Sequence, residues 1–150
     1  MIRPAALNEA IPWLDRMAPA HHAGTSRPGT PLAINWDLLC QMEDAGNLLC
    51  LVAIDQAEVV GYSLHAIAAH PLYGELWATP IALYVRYSHR ELGFGRQLVE
   101  VAEVELARRG AVVICQAVPA GGSALAVMLS GLGYWRTETL WSKRLPVARR

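Results

Sequence analysis

Hydrophobic positions along the chain change period several times, and each change marks an element. "MIRPA" reads as a short edge strand, where Pro4 is tolerated because one side of an edge needs no donor. Behind it Ile11, Leu14 and Met17 recur at helical spacing, with Asn8 placed to cap the helix. Gly, Pro, Ser and Thr crowd "HHAGTSRPGTP", which predicts a loop. Trp36 to Asp44 returns to helical spacing, and Gly46 supplies the stop. "NLLCLVAID" and "EVVGYSLHAIAAH" are β-rich and separated only by Gln56 and Ala57, so an antiparallel pair is predicted. "HPLYG" then turns the chain into "ELWATPIALYVRY", a third strand run. Pro80 inside that run cannot donate to a ladder, so a bulge or irregularity is expected beside it.

From Gly93 to Arg109 the period is helical again. Leu98, Val101, Ala102 and Leu106 share one face, Arg96, Glu100, Glu103 and Arg108 lie largely away from it, and Gly110 ends the run. "AVVICQAV" is a continuous apolar strand of the kind buried on both faces. "PAGG" breaks it, Ser123 can cap a helix to about Leu132, and "YWRTETLWSKRL" alternates as a last strand. The order is β-α-α-β-β-β-α-β-α-β: a single α/β domain over residues 1–150, with a hairpin-rich first half feeding one strand-helix-strand crossover.

Composition narrows the function. Apolar content of 53% with 17% charged residues suits a packed core rather than disorder. The formal net charge is zero, whereas a nucleic-acid partner calls for a basic excess, so no nucleic-acid role is expected; Arg149-Arg150 reads as a solvated tail. Cys40, Cys50 and Cys115 form no C-x-x-C pair, which suits a reducing compartment and offers no zinc framework. No apolar run reaches spanning length and no signal-like core follows Arg3, so a cytoplasmic protein without a membrane partner is expected.

The candidate chemistry lies in "YVRYSHRELGFGRQLV", where a strand gives way to a glycine turn and then a helix. The first N–H groups of a helix lack internal partners, and the helix dipole adds about half a positive charge there. A phosphate answers both, and glycine lets its oxygens approach the backbone. Arg90 and Arg96 flank the turn. A nucleotide-binding fold fits poorly. The P-loop needs a Lys then Ser or Thr after its last glycine, and the dinucleotide fingerprint needs a third glycine where Leu98 stands.

Arg90 to Gly95, "RELGFG", matches the [Q/R]-x-x-G-x-[G/A] signature of the GNAT superfamily of acetyl-CoA-dependent N-acyltransferases. "ALYVRYSHR" resembles that family's fourth strand and spacer, and "MLSGLGYWRTETLWSKRL" resembles its last helix, its Gly-aromatic ending at Gly133-Tyr134, and the following strand. "IRPA" is also a common start for such chains, so the resemblance spans nearly the whole sequence. It implies a GNAT-like mixed, mostly antiparallel sheet with helices on both faces. It also implies acetyl-CoA as acyl donor. Backbone at the fourth strand's bulge, here Leu83, Tyr84 and Val85, would pair with the pantetheine arm, and the segment Arg90, Glu91, Leu92, Gly93, Phe94, Gly95 and Arg96 would hold the pyrophosphate. A primary amine would attack the thioester, with a backbone N–H near Val85 stabilising the oxyanion. Dimers are common in the family, and a chain ending soon after its last strand leaves an edge for a second copy to cover.

The proton-moving positions depart from the family's pattern. Many members carry a glutamate on the fourth strand where this chain has Thr79, and a tyrosine in the last helix where it has Leu129. Glu75 shares a strand face with 77 and 79 if the strand is regular, and is the candidate base; Tyr134 is the candidate acid. His65, His70 and the pair His21-His22 are other candidate bases near neutral pH, with a turn histidine at 70 and a flexible-loop pair at 21-22 as the simpler readings. Trp36, His70, Tyr73 and Trp77 are candidates to line the pocket of a small-molecule or peptide amine. Cys115, inside a buried run, reads as inert. Thr79 and Leu129 also support a second reading, in which the fold binds acetyl-CoA without turnover and serves as an interaction module.

Overall fold

The computed structural model describes residues 1–25 and 29–147. Part of the expected loop after the first helix, and the Arg149-Arg150 tail, lie outside the described residues. In chain order the elements are β1 (Ile2–Pro4), α1 (Leu7–Ala23), α2 (Trp36–Asp44), β2 (Leu48–Asp55), β3 (Glu58–Ala69) and β4 (Leu76–Val85). A 3-10 turn (Tyr87–Leu92), α3 (Phe94–Arg108), β5 (Val113–Ile114) and α4 (Ser123–Gly131) follow. The sheet order is β1-β2-β3-β4-β5, antiparallel as far as β4, with β5 parallel to β4. The mixed, mostly antiparallel α/β architecture expected from the sequence is therefore the one observed.

Period-two alternation on β2 sorts the core into two layers. Leu48, Cys50 and Val52 face Leu7, Leu14 and Met17 of α1, together with Tyr62, Leu64 and Tyr84. Leu49, Leu51 and Ala53 face Phe94, Leu98, Ala102 and Leu106 of α3, together with Ile67 and Val85. Gln56 and Ala57 turn the β2–β3 hairpin with φ of +46° and +68°, the left-handed pair that a two-residue hairpin requires.

Three local expectations are corrected. Asn8 does not cap α1; Ala6 occupies the cap position, and the Glu43 carboxylate of α2 accepts from the Leu7 N–H at 2.8 and 3.1 Å. Helix α1 also runs on to Ala23, taking His21 and His22 into its last turn. Pro19 lies within this stretch and opposes it, and Met17 and Ala18 are buried, so packing rather than propensity carries the helix past the proline. Second, only Val113 and Ile114 of "AVVICQAV" join the sheet, and they are half-buried rather than covered on both faces. Third, residues 135–147 form no strand. A strand needs a paired neighbour, and among the described residues none pairs with them. Ser123 opens α4 without a side-chain cap bond.

Candidate active site at the parting of two strands

The irregularity expected beside Pro80 sits at Ile81. Upstream, His65 faces Pro80; downstream, Leu64 faces Ala82, so β4 carries one extra residue. That residue reverses which backbone groups look toward β5. The Leu76 and Ala78 carbonyls accept from the Val112 and Cys115 N–H groups at 2.9 Å, so the even-numbered residues face β5 there. Past the bulge Arg86 donates its N–H to Val60 of β3 at 2.8 Å, which by alternation turns Tyr84 and Ala82 toward β3 and Leu83 and Val85 away from it. β5 pairs with β4 only at Trp77 and Ala78. The ladder ends at that point, so among the described residues no strand lies paired beside the backbone of Leu83 and Val85, and this gap in the sheet is the candidate slot. The bulge lies upstream of Leu83 to Val85 rather than within them, and it is what aims them.

The slot ends at the glycine turn. Gly93 has φ +84° and forms the hinge between the 3-10 turn and α3. The first helical bond there runs from the Gln97 N–H to the Gly93 carbonyl at 3.0 Å, so the amides of Phe94, Gly95 and Arg96 precede it. A Cβ on Gly95 would come only within 3.9 Å of Val85, which leaves the approach to the helix terminus open. Arg90 is not a mobile flanking charge. Its Nε–H donates to the Val85 carbonyl at 3.1 Å, and its guanidinium lies over the rings of Tyr84 and Tyr87 at 5.8 and 5.6 Å. Arg96 pairs with Glu100 on the exposed helix face at 2.9 Å, and Glu91 and Leu92 are exposed. The donors and the cradle fit a pyrophosphate.

On the sheet face opposite α3, the last turn of α1 brings in a residue set aside as part of a loop. His21 stacks on Tyr84 with centroids 5.1 Å apart, and its Nδ1 lies 2.8 Å from the Tyr62 hydroxyl. Burial, reinforced by Arg90 and His22, holds its pKa below the ordinary histidine value, so the ring is neutral near pH 7. The local sequence hid this, because Pro19 argues for ending the helix before the pair.

On the α3 face, His65 is 1% exposed, and its Nε2 accepts from the Gln116 amide nitrogen at 3.1 Å. Gln116 follows the last β4–β5 hydrogen bond, at the mouth of the slot. The Tyr134 hydroxyl is buried, with Glu103 and Gln116 beside it. Burial, with Glu103 adding to it, raises its pKa and keeps it a phenol, and Gln116 also acts on it. Leu129 is buried and Thr79 exposed. Cys115 is half-buried, its thiol pKa raised by burial and by Glu138.

Glu75 lies elsewhere. It sits at the β3–β4 hairpin tip, accepting from the Trp77 indole at 3.4 Å, where His70, Tyr73 and Trp77 stack with centroids 4.2 to 5.5 Å apart. Extended chain separates it from Leu83 by roughly 25 Å. Trp36 does not join this cluster; it packs against the α1-side core. Among the described residues no group of His, Cys, Asp or Glu is arranged to hold a metal ion, and no helix is long and apolar enough to cross a membrane.

Comparison with known proteins agrees with this fold. A search of curated proteins finds no match. An aminoglycoside acetyltransferase from an uncultured soil metagenomic sample, solved with sisomicin, superposes with a TM-score of 0.75 at 17% identity, covering 97% of this chain and 96% of that one. A ribosomal-protein-alanine N-acetyltransferase from Brucella melitensis biovar Abortus 2308 gives 0.67 at 17% identity, over 97% and 99%. A transcriptional regulator from Bacillus halodurans C-125 gives 0.73 at 20%, again over 97% and 99%. These likenesses establish a shared fold. The model of the acetyltransferase (GNAT) family matches residues 10–134, and the chain belongs to that family.

Proposed function

We propose that this chain, as one acyltransferase domain, moves an acetyl group from acetyl-CoA directly to a primary amine. The observation that carries the reading is the parting of β4 from β5, which leaves Leu83 and Val85 facing a slot that leads to Gly93 and Gly95. In this reading the pantetheine amides take the place of the missing strand beside Leu83 and Val85. The α3 amides and Arg90 receive the pyrophosphate, and a slot-facing N–H supports the developing oxyanion.

His21 takes the proton that the attacking nitrogen loses. With hydrogen on Nδ1 directed at the Tyr62 oxygen, Nε2 keeps its lone pair free, and the lowered pKa keeps that form populated at neutral pH. Tyr134 supports the departing thiolate by a hydrogen bond. A thiol of pKa near ~8.5 leaves tolerably without full proton transfer. Glu75, with His70, Tyr73 and Trp77, is an outlying contact for the body of an extended acceptor rather than the base. The solved acetyltransferases of similar fold are named for an aminoglycoside and for a ribosomal-protein alanine, so small-molecule and peptide amines are both acceptor classes for this chain.

Calorimetry with acetyl-CoA and CoA release across a panel of both amine classes test the proposal. Binding with turnover supports it. Binding with no release for any amine leaves the inactive acetyl-CoA-binding module, and no binding at high micromolar concentration rejects both.

A further inference from the structure

The sheet has a gap at its β1 edge, on the far side from the slot. β1 ends at Pro4, and Ala5 makes the last contact along it, donating its N–H to the Cys50 carbonyl at 3.1 Å. An antiparallel pair of this kind normally exchanges two bonds. Here the chain turns away into α1, and among the described residues the return bond from the Cys50 N–H to the Ala5 carbonyl is not made. Asn47 bonds to Ile67 of β3 at 2.9 Å, so by alternation the Leu48 N–H points away from β3 into the same gap. It too finds no main-chain acceptor among the described residues. Both residues are buried, and a buried N–H left open calls for a partner.

A cavity of about 390 Å³ occupies this gap, and two opposite charges line it. Arg109, just past α3, reaches in and donates from Nη1 to the Leu48 carbonyl at 2.7 Å. Glu43 of α2 is the other, its oxygens accepting from the Leu7 N–H. Burial, reinforced by Glu43, pushes the Cys50 thiol pKa up to about 12, so the carboxylate is felt at the cavity wall. Glu9 acts on the same thiol but is itself held by Arg3 at 2.7 Å. Among the described residues neither Arg109 nor Glu43 has an ion-pair partner, and they do not pair with each other although they share one cavity. A simple anion there would be repelled by Glu43, and a simple cation by Arg109. A molecule that carries both charges suits both walls, and the volume holds a small organic molecule rather than one bridging water.

We propose that this gap is a second binding site, and that its ligand is a small ammonium carboxylate of the α-amino acid class. The carboxylate lies between the Arg109 guanidinium and the open N–H groups of the β2 edge, and the ammonium lies at Glu43. Pro4, Ala5 and Gly46 complete the lining without a further charge, so the two charged groups of the ligand carry its recognition. The ligand completes the edge that β1 leaves short. The site does not depend on the acetyl-transfer reading, because none of its residues belongs to the slot or the glycine turn.

Amide resonances of the isotope-labelled full chain, titrated with a panel of α-amino acids in the absence of acetyl-CoA, test it. At least one amino acid should give saturable shifts at Leu48 and Cys50 at roughly millimolar concentration. Acetate and ethylamine, which each carry one of the two charges, should not. Glu43→Gln keeps an acceptor for the Leu7 N–H while removing the charge, and should weaken the amino acid about tenfold or more. Arg109→Met should do the same from the other wall. No saturable shift with any amino acid means a hydrated gap only and overturns the inference. An equal response to acetate, shifts confined to Leu83, Val85 and the glycine turn, or parent-like affinity in Glu43→Gln also overturns it. With no acetyl-CoA present, each of these outcomes leaves the transfer reading where it stood.

Discussion

The Nε–H of Arg90 donates to the carbonyl of Val85 across 3.1 Å, tying the turn that precedes α3 to the last residue of β4. The guanidinium is also held over Tyr84 and Tyr87, which ties the strand end to the turn before α3. Arg90→Lys keeps the charge and loses the planar fork and the ring stacking. Acetyl-CoA affinity by calorimetry is expected to fall about tenfold, with thermal stability little changed.

Gly95→Glu separates ligand recognition from folding more cleanly than Gly93→Glu. At Gly93 the positive φ makes any side chain strained. Gly95 lies in the first turn of α3, where a carboxylate favours the helix dipole and its Cβ has room. The variant should fold as well as the parent and bind acetyl-CoA more than about tenfold less tightly. Unchanged affinity would place the pyrophosphate elsewhere.

His21 should leave its mark on the pH profile. Its pKa is lowered, so its basic form persists below the ordinary histidine value of about 6.5, and kcat/KM should hold through that value, with the acid limb appearing only below it. Tyr62, Tyr84, His22 and Arg90 are the groups that face it. His21→Gln should lower kcat roughly 100-fold and remove the limb, with acetyl-CoA affinity retained. A profile unaltered in shape would reject the role.

Gly61 sits opposite Val85 at the head of the slot. A Cβ there would lie 2.7 Å from the Tyr84 carbonyl and 3.2 Å from the Val85 Cα, both backbone atoms that cannot swing aside. Gly61→Ala should cost about 1–3 kcal/mol by urea titration and weaken acetyl-CoA binding through displacement of β4. Retention of both would mean that the slot wall is soft.

His65 governs stability rather than chemistry. Its Nε2 accepts from Gln116 only while unprotonated, and burial lowers its pKa, with the Gln116 bond opposing that more weakly. The unfolded chain therefore binds more protons than the folded one below about pH 6.5. Stability should be full above that pH and decline as pH falls toward the lowered native value. Urea midpoints across this window should show a shallower slope for His65→Leu than for the parent.

Much of this was legible in the sequence, because period and punctuation are local. The β2–β3 hairpin, the helix between Gly93 and Gly110 and the irregularity beside Pro80 follow from alternation, glycine stops and a missing donor, none of which needs a distant partner. The glycine turn itself was legible for the same reason. The capping of α1 by Glu43 was not, since the two residues meet only when the helices dock. Nor was His21, whose neutral state and ring partners arise from burial against β4. The "AVVICQAV" run and the final alternating segment carry strand-forming sequence, yet a strand is defined by its neighbour. Composition alone determined that they should pair, and only the tertiary structure decided that the first pairs at two residues and that residues 135–147 form no strand.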